Sequence, residues 1–495
     1  MFTEQQTIEL LNKALQSPSD ALARDLIIGR LNKSATQATG LVAFDLEAPA
    51  RTLINVLTSI RNRIARVGGG TGLMANWKMI TSVNSPRQGA GVSEGNRGAV
   101  INTTSVDKSV SYRGLGLENN YTFEAGYAAE GFMDIDAFES LSLLNQLFLA
   151  EEHMLLGGNT SMALGTTPTP SLSTATSGGS IAATTTVSVI CVALTFAGWQ
   201  RATLTNGIPQ AITKTNADGS TDTYGGGSAA KSANATVTTG GGSTNTVSAS
   251  VAAVPGAVAY AWFVGTAGAE KIAQITTVNS AKFTALPATG QTAASLDASD
   301  HSTSALAFDG LLTYASQASL GALYAAQGTG TPGTGTPLTS DGAGGIAEIS
   351  ADLRLFWDLY KIVPDRILAN SQEQANITNK VVANGGVPVI RYPVSGGQGL
   401  TAGVVVDSIT HPVTKRPVPI EVHPDMVPGT LMYEADTVPF QGAIGPVKRV
   451  KTRREYHRID WPLRTRKNEW GVYVDEVLQV YYPQTLGVRT NIANG

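Results

Sequence analysis

The chain has 495 residues, only 15% of them charged, with 53 glycines and a formal net charge of −3. That balance gives no global attraction to nucleic acid or to an anionic membrane, while the length allows two or three domains with ample core. One cysteine, Cys191, excludes internal disulfides and any multi-cysteine metal site.

The start, MFTEQQTIELLNKALQ, has polar residues where a secretory leader needs a basic end and an apolar run. No stretch reaches the roughly 18 consecutive apolar residues of a membrane span. The expectation is a soluble protein made in a cytoplasm.

Residues 1–66 read as helical, with Ile8, Leu11, Leu15, Leu22, Leu26 and Leu31 on one side. Leu53, Val56, Leu57, Ile60 and Ile64 then line a second short piece, Arg51 to Arg66. Without an apolar partner nearby, this region reads as an arm that packs on something else. Gly68-Gly-Gly-Thr-Gly72 lacks the Lys-Ser/Thr of a phosphate loop and the spacing of a dinucleotide fingerprint, and reads as a linker. Trp77–Val83 is a candidate strand.

From Gly89 to Gly131 the chain is rich in Gly, Asn, Ser and charge. Val100–Tyr112 and Asn120–Ala128 flank the turn-prone Gly114–Asn119 and predict a long, exposed β-hairpin. Asp134 then opens a long amphipathic helix to Leu156, with Ile135, Phe138, Leu141, Leu144, Phe148 and Leu155 at three-and-four spacing. Asp134 suits the N-cap, and Gly157–Gly158 supply positions that tolerate φ > 0 at the end. Glu151-Glu152-His153 diverge around the helix axis, cannot converge on one metal, and read as a solvated face.

Residues 166–300 contain ten charged residues among 135, five of each sign; the other 360 residues hold 63. Thr, Ser, Ala and Gly dominate. Thr186–Phe196, Thr246–Val254 and Val258–Val264 are β-type runs, the last placing Tyr260, Trp262 and Val264 on one face, and Asp218-Gly219 signals a hairpin. Short strands with turns between them and no helix pattern predict a β-sandwich. A disordered spacer is the rival, opposed by Trp199, Tyr260, Trp262 and Phe283, rings that a spacer does not need.

After Asp300 charge returns. Phe308–Tyr324 has helical spacing, Gly328–Gly345 is a loop, and two further helices are predicted around Ile346–Tyr360 and Gln372–Ala383. Val404–Ile409, Pro417–Val422, Thr430–Tyr433 and Gly471–Tyr482 read as strands. Lys448 to Lys467 carries nine Lys/Arg against Glu455 and Asp460. Two readings stay open: phosphate contact with packaged nucleic acid, or arginines that pair with acidic residues on another subunit. The second is preferred, because the chain has no wider basic face.

No motif carries enzyme chemistry. His301, His411, His423 and His457 stand alone, no G-x-S-x-G elbow occurs, and Cys191 reads as a small buried hydrophobe. No catalytic residue, metal or cofactor is expected.

An N-terminal helical arm, a long hairpin, a long helix ending in EEHMLLGGN, a mixed α/β region and the closing strand WGVYVDEVLQVYYPQTLGV together resemble the tailed-bacteriophage major capsid protein of the Hong Kong 97-type fold. The resemblance implies an α+β fold divided into an N-arm (1–75), an extended loop region (76–133), a spine helix and start of the peripheral domain (134–165), an insertion (166–300), a mainly axial part (301–440) and a return to the peripheral domain (441–495). The insertion resembles an immunoglobulin-like or fibronectin-type module, especially in VPGAVAYAWFVG. The implied function is a virion shell subunit, assembled in the host cytoplasm into hexamers and pentamers around double-stranded DNA without sequence-specific binding. A portal, a scaffolding protein and a decoration protein would be partners, with no membrane. Glu94, Arg97, Lys108 and Arg113 are then candidate inter-subunit contacts that help fix the register. Lys108 lies where some capsid proteins of this fold crosslink, but no asparagine partner or catalytic carboxylate can be matched, so that chemistry is not carried over. The alternative is a surface adhesion protein whose sandwich binds a glycan or receptor.

Overall fold

The computed structural model describes residues 57–83, 91–98, 100, 103–129, 134–216, 219–383, 405–439 and 445–493. The predicted helices between Ile8 and Leu31, the start of the second apolar piece and Asn384-Gly385-Gly386 lie outside them. Of two compact units, the smaller is Met1–Leu53 with Ala129–Asp134, and the larger is Ile54–Ala128 with Ile135–Gly495.

The first described helix, α1 (Ser59–Arg63), leads into the two-residue strand β1 (Arg66–Val67). Ile60 and Ile64 are buried in the same apolar cluster as Leu147 and Leu155. This part of the expected arm therefore packs on its own chain, with Leu57 exposed at 48%.

The expected hairpin is corrected. Strand β2 (Met74–Val83) pairs antiparallel with β3 (Thr103–Ser111), so the excursion lies between residues 83 and 103. Residues 113–119 form no turn. They lie in β4 (Arg113–Thr122), which continues into helix α2 (Phe123–Ala129). The glycines there serve packing: a Cβ at Gly116 would stand 2.1 Å from the Tyr473 ring, so glycine lets that ring lie on the strand.

Helix α3 (Ile135–Gly157) is 23 residues long and matches the expected span. Its buried stripe differs from the expected one. Leu143, Leu147, Glu151, Glu152, Leu155 and Leu156 are buried, whereas Leu141 is 52% exposed. Neither Gly157 nor Gly158 has positive φ. They permit close approach instead, since a Cβ on Gly157 would strike the Phe196 ring and one on Gly158 the Phe308 carbonyl.

The low-charge region is folded as two sheets. Its strands are β5 (Ser171–Ala175), β6 (Thr186–Leu194), β7 (Ala211–Thr215), β8 (Thr221–Gly225), β9 (Ala235–Thr238), β10 (Thr246–Ser250), β11 (Ala259–Gly265), β12 (Lys271–Thr276) and β13 (Ser280–Phe283). One sheet has the order β13-β10-β5 and the other β12-β11-β6-β9, while β7 and β8 form a separate hairpin. Val247, Ala249 and Phe283 of the first share a core with Cys191, Tyr260 and Trp262 of the second, which makes a sandwich. The other face of β11, Ala259, Ala261 and Phe263, is covered by a second cluster that includes Ile208 and Leu296. A short helix, α4 (Phe196–Arg201), lies where no helix was expected; Thr195 caps it by accepting the Gly198 N–H. The region enters and leaves at adjacent points, with the Leu164 N–H donating to Ser302 Oγ at 2.9 Å.

Beyond it, the apolar run 308–324 yields α5 (Leu311–Ser316) and a 3₁₀ turn, Ala318–Leu320, before β14 (Leu323–Ala326). Helices α6 (Ala347–Tyr360) and α7 (Ser371–Ala383) come next, separated by β15 (Arg366–Ala369). The remaining strands are β16 (Ser408–Thr410), β17 (Pro417–Val422), β18 (Leu431–Glu434), β19 (Lys448–Asp460), β20 (Lys467–Val480) and β21 (Leu486–Thr490). A six-stranded sheet, β14-β21-β18-β15-β17-β16, shares a core with α6 and α7 through Ile349, Leu353, Phe356, Ile377 and Tyr433. A four-stranded sheet, β1-β19-β20-β4, shares a core with α3 through Leu147, Val450, Trp470 and Val474.

Candidate functional site

The end of α3 buries two adjacent carboxylates. Glu151 and Glu152, expected on a solvated face, are fully buried. Their partners come from residues 60–66, IRNRIAR, and from His423 and Tyr456. Glu152 accepts the Ile60 N–H (2.8 Å) on Oε1 and the Arg61 N–H (2.7 Å) on Oε2. It also accepts His423 Nε2 at 2.9 Å. His423 Nδ1 accepts the Asp425 N–H, so the ring N–H lies at Nε2 and points at Glu152. Glu151 takes Arg61 Nε at 2.9 Å, the Arg66 guanidinium and the Tyr456 hydroxyl. Arg61 lies 3.7 Å from the Phe148 ring centroid, adding a cation–π contact.

The network continues across the body. Arg66 pairs with Glu476 at 2.9 Å, and Arg63 with Glu421 (2.8 Å) and Glu434 (2.5 Å). Glu434 also takes Lys448 (2.5 Å) and Arg366 (3.2 Å), both of which reach Asp436. Burial raises the Glu434 pKa, but Lys448, Arg63 and Arg366 outweigh it and hold the carboxyl below its ordinary range. Asp436 is lowered in the same way, burial being overcome by Arg366 and Lys448. At Glu476 burial prevails over Arg66 and Arg61, and the pKa is raised.

Part of the basic stretch is engaged within the chain, while Arg454, Arg464 and Lys467 are exposed. Lys448 is buried, Lys451 donates to the Gly68 carbonyl, Arg453 pairs with Asp475, Arg458 with Asp136 and Asp460, and Arg466 with Glu124. These cations meet carboxylates and carbonyls of their own chain, where acidic residues of another subunit were expected. The anions come from Asp475 on β20, Asp136 on α3, Glu124 on α2 and Asp460 on β19 itself, while the segment before β2 supplies the Gly68 carbonyl.

A second node holds the β2–β3 hairpin. Lys108 on β3 pairs with buried Asp309 at 3.1 Å and sits 5.8 Å over the Tyr314 ring. Asp309 further accepts the Thr160 N–H, the Ser161 N–H (both 2.9 Å) and the Ser161 hydroxyl (2.6 Å). Opposite Lys108 across the strands, Trp77 donates its indole N–H to the Val480 carbonyl at 2.9 Å. The Ile80 N–H reaches the Tyr481 carbonyl at 3.0 Å. Val106, opposite Met79 within this root, is 40% exposed, and past it Val92 is 47% and Val100 89% exposed.

The four sequence-derived contact residues therefore divide. Glu94 and Arg97 are exposed. Lys108 is bound to Asp309, and Arg113 donates from Nε to the Ala307 carbonyl at 3.0 Å, with burial lowering its pKa. The sequence reading missed Asp309, Glu151, Glu152 and His423. The one available signal was the coincidence of three arginines in six residues with an adjacent Glu-Glu pair.

Among the described residues no group of three His, Cys, Asp or Glu could hold a metal, and no helix is long and apolar enough to cross a membrane. Asp309 accepts from three donors besides Lys108, the arrangement of a salt-bridged carboxylate, which is a poor electrophile for condensation with a lysine.

No family model matches the chain, and no curated protein matches it. Among solved structures it is similar to the capsid of the native GTA particle, with 10% identity over 93% of this chain and 98% of that chain and a TM-score of 0.43. It is similar to the capsid of Myoviridae Phage XM1 at 10% identity over 92% of this chain and 99% of that one, TM-score 0.40. For the cyanophage A-1(L) capsid asymmetric unit the values are 11%, 93%, 99% and 0.41.

Proposed function

We propose that this chain is the major capsid protein of a tailed double-stranded DNA bacteriophage. It assembles into hexamers and pentamers of an icosahedral shell, with a portal and a scaffolding protein as partners and room for a decoration protein. The observation that carries the reading is the β2–β3 hairpin. It is fastened at its root by Trp77, Ile80 and Lys108, yet it turns apolar Val92, Val100 and Val106 to solvent. A hairpin held firmly at its root, with valines exposed among polar and charged residues beyond it, fits a contact completed by another copy.

In this reading residues 74–111 are the extended loop, α3 is the spine helix, the sheet β1-β19-β20-β4 belongs to the peripheral domain, and the six-stranded sheet belongs to the axial domain. The two-sheet sandwich is an immunoglobulin-like module carried by the shell. Glu94 and Arg97, exposed beyond the root, remain candidates for inter-subunit pairing. Each such exposed pair contributes only about 0–1 kcal/mol, but a closed shell repeats it over many copies. Producing the chain with its scaffolding partner and imaging the product by negative-stain microscopy tests the proposal: closed particles support it, and persistent monomers under assembly conditions refute it.

A further inference from the structure

We propose that Asp309 is a positioning residue for assembly: one carboxylate ties together the root of the hairpin and the two crossovers of the sandwich, so that hairpin and sandwich move as one body. The inference rests on the assembly reading above and adds to it a residue and a coupling.

Three separate pieces of chain converge on Asp309. The segment that leaves α3 toward the sandwich presents the Thr160 and Ser161 amides and the Ser161 hydroxyl, all bound to the Asp309 carboxylate. The segment returning from the sandwich carries Asp309 itself, and its Ala307 carbonyl accepts Arg113 Nε, at the junction of β3 and β4. The hairpin supplies Lys108 Nζ, 3.1 Å from Oδ2. The crossovers are also locked to each other: the Gly310 N–H and the Thr313 hydroxyl both donate to the Gly158 carbonyl, at 2.7 and 2.6 Å. Glycines at 158 and 310 allow the close approach, since a Cβ at either would strike backbone of the other crossover.

The side chain of Asp309 is fully buried and that of Lys108 is 17% exposed, so the pair is poorly screened and its geometry is stiff. Across the hairpin, Trp77 is tied to Val480 at the same register. Two strands held at one level by different parts of the body cannot pivot about either bond alone. Losing the Lys108 bond would leave the hairpin tied to the body through β2 alone, at Trp77 and Ile80, and free the β3 side of its own attachment.

Two substitutions separate the arms of the node. Lys108→Met removes only the hairpin arm. Asp309→Asn keeps an acceptor for the crossover amides but loses the charge that holds Lys108. Lys108→Arg keeps a cation in place. Spin labels at exposed Ser105 on β3 and Thr236 on β9 report the hairpin–sandwich distance, and Cys191 is buried and leaves the labels selective. The expected result is a narrow distance distribution in the parent and in Lys108→Arg, and a broadened or shifted one in Lys108→Met and Asp309→Asn, accompanied by loss or heterogeneity of particles. Unchanged distances and unchanged particles in Lys108→Met would overturn the proposal, even if Asp309→Asn failed to fold. Absence of particles from the parent chain would remove the assembly reading, and the distances would still decide whether the node holds the hairpin.

Discussion

Glu152 and His423 meet at 2.9 Å with neither side chain exposed, and the same carboxylate receives the amides of Ile60 and Arg61. The chain entering the body at residue 58 is thus seated by a carboxylate at the end of the long helix. Glu152→Gln would place an amide NH₂ where only acceptors are wanted. One donor would be left unsatisfied, costing about 1–3 kcal/mol. Chemical denaturation should show an earlier transition, and limited proteolysis should cut near residues 57–66 sooner than in the parent. Unchanged protection of that segment would show that Glu152 does not seat it.

Glu151 carries a heavier load, because its loss strands Arg61 and Arg66 beside Glu476 and Tyr456. Breaking a buried pair costs about 3–5 kcal/mol. Glu151→Ala should therefore unfold well before Glu152→Gln in a urea series. Equal midpoints would mean that solvent compensates the two arginines.

The Glu434–Asp436 cluster predicts the acid limb of stability. Both carboxyls have folded-state pKa values below their ordinary 4.5 and 3.8. Their contribution is full above about pH 4.5 and is lost as pH falls through the lower folded values. Lys448→Met removes one of the two cations common to both, the other being Arg366, so the melting temperature should fall overall and depend less steeply on pH below 4.5. A parallel acid limb in parent and variant would contradict the assignment.

His153 acts in the opposite direction. Its hydrogen bond to Asp425 raises its pKa above 6.5, against the opposing effect of burial. That stabilisation is present below pH 6.5 and disappears as pH rises through the folded value. His153→Gln should flatten the stability profile in this window and also reduce the acid limb, because His153 holds the Asp425 carboxyl below its ordinary range. Melting curves from pH 5.5 to 8 check it.

Tyr473 across Gly116 explains why part of the fold was not legible. Glycines at 114 and 116 carry a turn signal in any local reading, and only the ring on β20, more than 350 positions away, shows that they are there for packing. Gly116→Ala should cost about 1–3 kcal/mol through overpacking, and Tyr473→Ala should relieve much of that penalty in the double variant. The long helix, the two later helices, the sandwich and the closing strands were readable because their periodicity or composition is local. The buried end of α3 was not: a Glu-Glu pair reads as solvated until Arg61, Arg66 and His423 are brought to it. Lys108 was expected to contact another subunit; within the chain it pairs with Asp309, some 200 positions away and without a local signal.

The most direct test of the central claim removes only the reach of the hairpin. Residues 82–104 are replaced by an Asn-Gly turn joining Thr81 to Ser105, which leaves Trp77, Lys108 and the strand β4 in place. Parent and variant are produced with the scaffolding partner and compared by electron microscopy and circular dichroism. The account predicts closed particles from the parent, and folded but unassembled subunits from the variant with the same helical signal. Particles from the variant, or folded parent subunits that never assemble, would contradict it.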